Sequence, residues 1–115
     1  MVSPTIQRIA QLNDAFRKCD PNVPGQRFLT AGVVHLLKQL DIPTETLIRR
    51  VVQFDDFSEH NDPHGEHDSG VLEFHGHRLF WKIDAYDNDY NLGSDDPTDL
   101  SRTRRVLTIM LAEEW

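Results

Sequence analysis

The first apolar residues of the chain recur every three or four positions. This spacing is typical of an amphipathic helix, whose apolar face would be formed by Ile6, Ile9, Leu12 and Phe16. Ser3 can cap such a helix, and Pro4 suits its first position. The pattern therefore predicts a first helix over residues 3–18.

A short strand and a second helix are predicted next. Residues 27–30 combine an aromatic, an aliphatic and a β-branched residue after a loop rich in proline and glycine, and this favours a strand. Thr30 can then cap a helix over residues 31–40.

The segment 43–53 is ambiguous in its apolar pattern. Leu47, Ile48 and Val51 suit one face of a helix, whereas Val51, Val52 and Phe54 suit a strand. Pro43 followed by Thr44-Glu45-Thr46 is typical of a helix start, so we predict a helix.

The clearest local structure is a hairpin. Residues 71–74 and 77–84 flank His75-Gly76, a two-residue turn with glycine in second place. Pairing Phe74 with His77 puts Glu73 opposite Arg78 and Leu72 opposite Leu79. The predicted apolar face consists of Leu72, Phe74, Leu79, Trp81 and Ile83, and the polar face of Glu73, Arg78, Lys82 and Asp84.

Residues 99–114 also show a helical spacing, carried by Val106, Leu107, Met110 and Leu111, and predict a C-terminal helix. The expected fold class is α+β. A small antiparallel sheet of about three strands, with the hairpin 71–84 at its centre, would be covered on one face by the N- and C-terminal helices. A length of 115 residues predicts a single domain, residues 1–115.

Composition excludes several classes of protein. Cys19 is the single cysteine, so the chain can form neither an internal disulfide nor a cysteine-rich zinc site. Residues 1–7 lack the basic start and apolar run of a signal peptide, and apolar runs such as 106–112 are too short to span a bilayer. We therefore expect a soluble cytoplasmic protein.

Charge is unevenly distributed along the chain, whose net charge is −7. Residues 54–99 hold 13 acidic and two basic residues, a net of −11, while the remainder holds 10 basic and six acidic residues, a net of +4. This acidic middle disfavours nucleic acid as a direct partner and favours a cation or a basic protein surface. The candidate partner-binding residues are Asp62, Glu66, Asp68, Asp84, Asp87, Asp89, Asp95 and Asp96. The alternative is a solvated face that maintains solubility.

Histidines and carboxylates are mixed in residues 58–70, a segment without hydrophobic periodicity. At about 3.3 Å per residue, the hairpin strand keeps His75 and His77 too far from His64 and His67 to share an ion. The same register places His67 opposite Asp84 at the open end of the hairpin. A divalent metal could bind there, although the pattern implies no required cofactor; the candidate ligands are His64, His67, Asp84 and Asp87. Alternatively, a His67–Asp84 pair would only fix the loop to the sheet.

Three segments, Asn61–Asp68, Phe80–Asp84 and Thr103–Glu114, resemble a small bacterial domain family of unknown function. The family is met mainly in alphaproteobacteria, often on plasmids and other mobile elements. The resemblance extends to Leu12–Ala15 and Thr30–Val33, and implies no catalytic residue. This chain departs from the family pattern at Ser69 and Ala85, where an aromatic residue is expected.

Two functional hypotheses follow, and the sequence favours the one without enzymatic activity. In the first, an acidic interaction domain binds a basic, nucleic-acid-binding protein surface. The mobile-element setting implied by the resemblance suggests an inhibitor of host defence, of the anti-CRISPR or antirestriction type, whose carboxylates mimic phosphates. In the second, a metal-binding or metal-dependent hydrolase-like module uses the cluster at residues 64–68 and 84–87.

Overall fold

A computed structural model describes residues 3–115; Met1 and Val2, the start of the segment tested for a signal peptide, lie outside the described residues. The elements in chain order are α1 Pro4–Arg17, β1 Gly25–Leu29, α2 Ala31–Leu40, α3 Thr44–Val52, β2 Ser69–Phe74, β3 His77–Tyr86, β4 Arg104–Leu111 and a 3₁₀ turn at Ala112–Glu114. In the described part of the chain, no helix has the length and apolar character needed to cross a membrane.

The three predicted helices of the N-terminal half are confirmed, and two of them begin at the predicted caps. The Ser3 hydroxyl accepts the N–H of Ile6 at 3.2 Å, and the Thr30 hydroxyl accepts that of Val33 at 3.3 Å. The ambiguous segment is a helix, α3, which follows Pro43 without a side-chain cap.

The hairpin and its register are confirmed. β2 pairs with β3 antiparallel, with Phe74 beside His77 and Glu73 beside Arg78. His75 and Gly76 have φ angles of 50° and 82°, as a type I′ two-residue turn requires at both central positions. The predicted apolar face is buried in full, including Leu79 and Trp81 at 0% exposure.

The prediction of a C-terminal helix is wrong, because residues 104–111 form the strand β4. β4 lies inside a four-stranded sheet of order β1-β4-β3-β2, parallel to β1 and antiparallel to β3. Its burial alternates, with Arg105, Leu107 and Ile109 pointing into the core. Hydrogen bonding to two neighbouring strands overrides a spacing of apolar residues that also fits a helix.

The fold class is α+β, as predicted, with a mixed sheet of four strands. One apolar cluster joins the helices to the sheet; its largest members include Phe16 of α1, Leu47 of α3 and Trp81 of β3. Full burial of each such side chain contributes about 1.5–3 kcal/mol to folding. All three helices contribute to this cluster, so the covering layer comes from the N-terminal half of the chain.

Three loops meet at one end of the sheet, which we call the loop end. Ser69 pairs with Lys82 and Tyr86 with Arg104, so β2 begins where β3 ends and β4 begins. β1 begins there as well, since it runs parallel to β4. The loops over residues 18–24, 53–68 and 87–103 therefore all emerge from this end.

Candidate functional site

The segment that mixes histidines and carboxylates is fixed to the fold by Asn13 of α1. We call residues 58–68 the histidine–carboxylate loop. The Asn13 side-chain amide donates to the carbonyl of Glu66 at 2.9 Å, and its oxygen accepts from Nε of Arg105 at 2.7 Å. Arg105 also donates through Nη2 to the carbonyl of Pro97 at 2.8 Å. The buried amide of Asn13 thus joins α1 to β4 and to the histidine–carboxylate loop, and Arg105 extends this network to the loop over residues 87–103.

Arg105 is a buried cation held by neutral oxygen atoms. It is 1% exposed, and its Nη1 has no hydrogen-bond acceptor within residues 3–115. Burial, and secondarily the charge of Arg8, lowers the pKa of Arg105 to about 10, so the side chain remains charged at neutral pH. Its bonds to Asn13 and Pro97 therefore replace part of the hydration that a guanidinium loses on burial.

A second contact between α1 and the histidine–carboxylate loop is made by Asp14. Its carboxylate accepts from Nη1 of Arg17 at 2.8 Å and lies 3.0 Å from Nδ1 of His67. The imidazole of His67 stacks on Phe57 with ring centres 4.0 Å apart, and its Nε2 lies 3.7 Å from Asp62. A ring held between two carboxylates and an aromatic face has a fixed orientation, which is the geometry of an oriented acid–base group.

The predicted pairing of His67 with Asp84 is therefore wrong. His67 has a φ of 53°, a left-handed backbone conformation that turns it from the extended path of β2. Its side chain pairs with Asp14, while Asp84 pairs with Lys82 at 2.9 Å. The hairpin register, extended beyond Ser69, does hold at Asp68, whose carbonyl accepts the N–H of Ile83 at 2.7 Å.

Glu66 and Asp68, beside the start of β2, are influenced by burial and by the charges of neighbouring carboxylates. The pKa of Glu66 is raised by partial burial and then by the charges of Asp68 and Asp62. Burial likewise raises the pKa of Asp68, followed by the charges of Asp62 and Asp84. His64 acts against both pKa shifts.

The acidic residues of the loop over residues 87–103 have different roles. Asp87 accepts the N–H groups of Asp89 and Asn91 at 3.1 and 3.0 Å, and Asp96 accepts the hydroxyl of Thr98 at 2.6 Å. These bonds are local turns that define the loop backbone. The hydroxyl and then the N–H of Thr98 lower the pKa of Asp96.

Few of the eight candidate partner-binding carboxylates point freely to solvent. Asp89 is exposed and the Asp95 side chain is 90% exposed, with Arg102 3.6 Å away. Asp62 is buried, and its carboxylate accepts the N–H of His67 at 3.3 Å. The other five are partly exposed. The loop end therefore combines carboxylates that build loops with carboxylates available to a partner.

The four candidate metal ligands do not share one position. His67 contacts Asp14, Asp84 contacts Lys82, and Asp87 bonds to its own loop. Within residues 3–115, no three His, Cys, Asp or Glu side chains are arranged so that they could hold a metal ion. Metal binding by this region stays a prediction.

The sequence assigned no role to Asn13, Asp14 or Arg17. Arg17 is 2% exposed, and its guanidinium lies 5.2 Å from the Phe57 ring centre and 5.5 Å from that of Trp81. One available signal was the spacing of Asn13 and Arg17, which lie one helical turn apart next to the apolar face of α1. Polar residues so placed need buried partners.

Comparison with known proteins identifies the family of the chain. No curated protein and no solved structure matches it. A family described as "Protein of unknown function (DUF3768)" matches residues 29–114, a range from the end of β1 to the 3₁₀ turn. This match confirms the resemblance to a domain family of unknown function, while its bacterial and mobile-element setting stays a prediction. The chain belongs to the DUF3768 family.

Proposed function

We propose that this chain is a protein-interaction domain whose loop end binds a basic surface of a partner protein. One observation carries the proposal. Of the 13 acidic residues in 54–99, all but Glu73 lie in the loops over residues 53–68 and 87–103 or at Asp84 near the end of β3. Glu73 lies beside the hairpin turn and is paired with Arg78 at 3.1 Å. The negative charge is therefore concentrated at one end of the molecule.

A concentrated negative field favours a positively charged partner and accelerates its association. Nucleic acid is disfavoured as a direct ligand, since its phosphates would face carboxylates. A protein surface that normally binds nucleic acid has the complementary charge. We therefore propose an inhibitor of a host defence system, of the anti-CRISPR or antirestriction type, that occupies such a surface.

In this proposal the carboxylates of the loop end have three different roles. Asp89 and Asp95 contact the partner directly, because both are exposed. Asp87 and Asp96 shape the loop that carries them. Asp62 holds the histidine–carboxylate loop, while Glu66, Asp68 and Asp84 contribute to the field.

The test combines a cellular assay with a charge-matched control. The domain is expressed in bacteria that carry a CRISPR or restriction system, and phage plating efficiency is measured. We expect plating to rise with the native chain and to rise much less with Asp89→Asn combined with Asp95→Asn. Glu45→Gln combined with Glu113→Gln removes the same charge from exposed positions at the start of α3 and in the 3₁₀ turn, away from the loop end. This control variant should raise phage plating as the native chain does.

The binding mechanism has its own measurement. Affinity for the defence complex should fall steeply between low and high salt, because exposed charges are screened over about 10 Å at 0.1 M salt. Binding that is indifferent to salt and to the Asp89 and Asp95 substitutions would contradict the proposed mechanism.

A second candidate function is a divalent-metal module, favoured by the position of Glu66 and Asp68 beside Asp62 and Asp84, whose charges add to the effect of burial in raising the pKa values of Glu66 and Asp68. A bound cation would relieve that repulsion. Metal analysis of the purified protein and thermal melts with added divalent ions test it, with His64→Ala and His67→Ala for comparison. Absence of both bound metal and a thermal shift would remove this candidate.

A further inference from the structure

One edge of the sheet is available for pairing beside the loop end. Among residues 3–115, β2 pairs with β3 alone. Phe74 and His77 are the hydrogen-bonded pair that closes the two-residue turn, so the alternation of an antiparallel ladder directs the N–H and C=O of Val71 and Ser69 away from β3. Arg50 donates to the carbonyl of Glu73 at 3.0 Å, and the accessible stretch of the edge is therefore Ser69–Val71.

A groove lies on each face of the sheet along this edge. The outer groove, of about 230 Å³, is lined by Trp115, Phe80, Val71, Asn61 and Asp56, among others. The inner groove, of about 370 Å³, lies on the helix side and is lined by residues that include Arg50, Phe54 and Asp55. Val71 and Asp56 border both grooves.

This pairing of grooves matches the alternation of side chains along an extended strand. Successive side chains of a strand point to opposite faces of its sheet. A segment that added to Ser69–Val71 would therefore place one side chain in the outer groove and the next in the inner groove. Main-chain bonds with alternating pockets are the geometry of recognition by strand addition.

The outer groove has the chemistry of a site for a lysine or arginine side chain. Trp115 is 73% exposed and meets Phe80 edge to face at 5.4 Å, while Val71 is 50% exposed. Such surfaces cover the aliphatic stem of a long basic side chain, and an indole face attracts its charge. Asp56 is exposed at the border and supplies a carboxylate, and none of the described residues that line this groove is basic.

We propose that β2 receives an extended basic segment of the partner protein as an added strand, with a lysine or arginine in the outer groove. The proposal rests on the proposed function, because it takes the same basic partner. It assigns that partner a conformation, an extended strand, and a position beside Ser69–Val71. The loop end then attracts the partner by charge, and the edge determines how it is seated.

The test uses a capped peptide of alternating lysine and valine as the probe, with a glutamate–valine peptide as its charge control. Backbone amide shifts and hydrogen exchange are followed by NMR. The Val71 amide, which points to the free edge, should gain protection with the lysine peptide. The Leu72 amide, already bonded to β3, should change little and serves as the internal reference.

Substitutions at the outer groove test whether the peptide binds there. Trp115→Ala and Asp56→Asn should each lower the affinity for the lysine peptide about ten-fold, a loss typical of an interface anchor residue. Val34→Ala alters another exposed valine, on α2, and should leave affinity unchanged. Tryptophan fluorescence gives a second measure of binding, and Trp115→Phe should abolish the change in fluorescence on peptide addition, since Trp81, the other tryptophan, is fully buried.

Each other outcome overturns the inference in a recognisable way. Lysine-peptide binding that shifts the loop end but leaves Val71 unprotected refutes the strand position and preserves the proposed function. Absence of peptide binding at millimolar concentration refutes the strand proposal, while the phage and salt experiments still decide the proposed function. Val71 protection that grows with protein concentration without peptide identifies a second copy of the chain as the occupant instead.

Discussion

The two acidic loops at the loop end are held in opposite ways. The histidine–carboxylate loop depends on residues far away in sequence: Asn13 and Asp14 contact Glu66 and His67 across 53 positions. The loop over residues 87–103 is held mainly by its own side chains, such as Asp87, Asp96 and Thr103, over separations of two to nine positions. One loop is a product of the tertiary fold, and the other is mainly a product of local sequence. Substitutions should therefore spread from the first loop and remain confined in the second.

The largest expected effect is that of Asn13→Ala. It removes the acceptor of Arg105 Nε and the donor to the Glu66 carbonyl, and leaves a buried cation with fewer partners. We expect a loss of about 2–4 kcal/mol in the free energy of unfolding. Urea denaturation measures the loss, and hydrogen exchange should show faster opening of residues 58–68.

Gln11→Ala is the control for that substitution, on the same helix but exposed, where Gln11 accepts only a long bond from Arg8 at 3.4 Å. Its cost should stay within about 0.5 kcal/mol. Similar losses for the two variants would show that the histidine–carboxylate loop does not depend on α1.

A smaller and more local effect is expected for Thr103→Val. The buried Thr103 hydroxyl donates to the carbonyl of Asp96 at 2.9 Å and contacts the Ser94 hydroxyl at 2.7 Å. Valine preserves the shape of the side chain and removes these bonds, at a cost of about 1–2 kcal/mol. Hydrogen exchange should quicken in residues 87–103 and stay unchanged in residues 58–68. Opening of both loops would contradict the contrast between them.

The smallest expected effect is a difference in pH dependence. Because the pKa of Asp68 is raised in the folded state, its contribution to stability is present below its ordinary pKa and is lost as the pH rises through the folded value. Asp68→Asn should therefore stabilise the fold at neutral pH, by less than about 1 kcal/mol because solvent screens a half-buried group. Melting temperatures should converge with those of the native chain below about pH 4.

Asp96 should show the opposite sign. Its pKa is lowered by Thr98, so its contribution is present above its ordinary pKa and is lost as the pH falls through the folded value. Asp96→Asn should therefore destabilise at neutral pH and converge with the native chain in acid. The same sign for Asp68→Asn and Asp96→Asn would show that the two loops hold their carboxylates alike.

The same contrast explains which parts of the fold could be predicted. Ser3, Thr30 and the His75-Gly76 turn act on their immediate neighbours, so the helices and the hairpin could be inferred from the sequence. The spacing of apolar residues around Val106 and Met110 fits both a helix and a strand. The choice depends on β1 and β3 as hydrogen-bonding neighbours, which local sequence does not contain.

The sequence indicated which residues lie in the candidate site better than it indicated their contacts. The acidic residues and His64 do gather at the loop end, because strand directions bring the loops together. The partner of His67 could not be inferred. A left-handed residue breaks the extrapolated register, and Asp14 lies on a helix whose orientation depends on core packing.

The position of β4 between β1 and β3 has a kinetic consequence. Gly25 pairs with Arg105 across 80 positions of the chain, and β3 has its second neighbour only after β4 has inserted. The loop-closure entropy of such pairings must be overcome before their contacts stabilise the chain, and this slows folding. Before insertion, β1 lacks its partner strand and β3 has one open edge, both prone to pairing between molecules. Refolding should therefore be slow and its yield should fall as protein concentration rises.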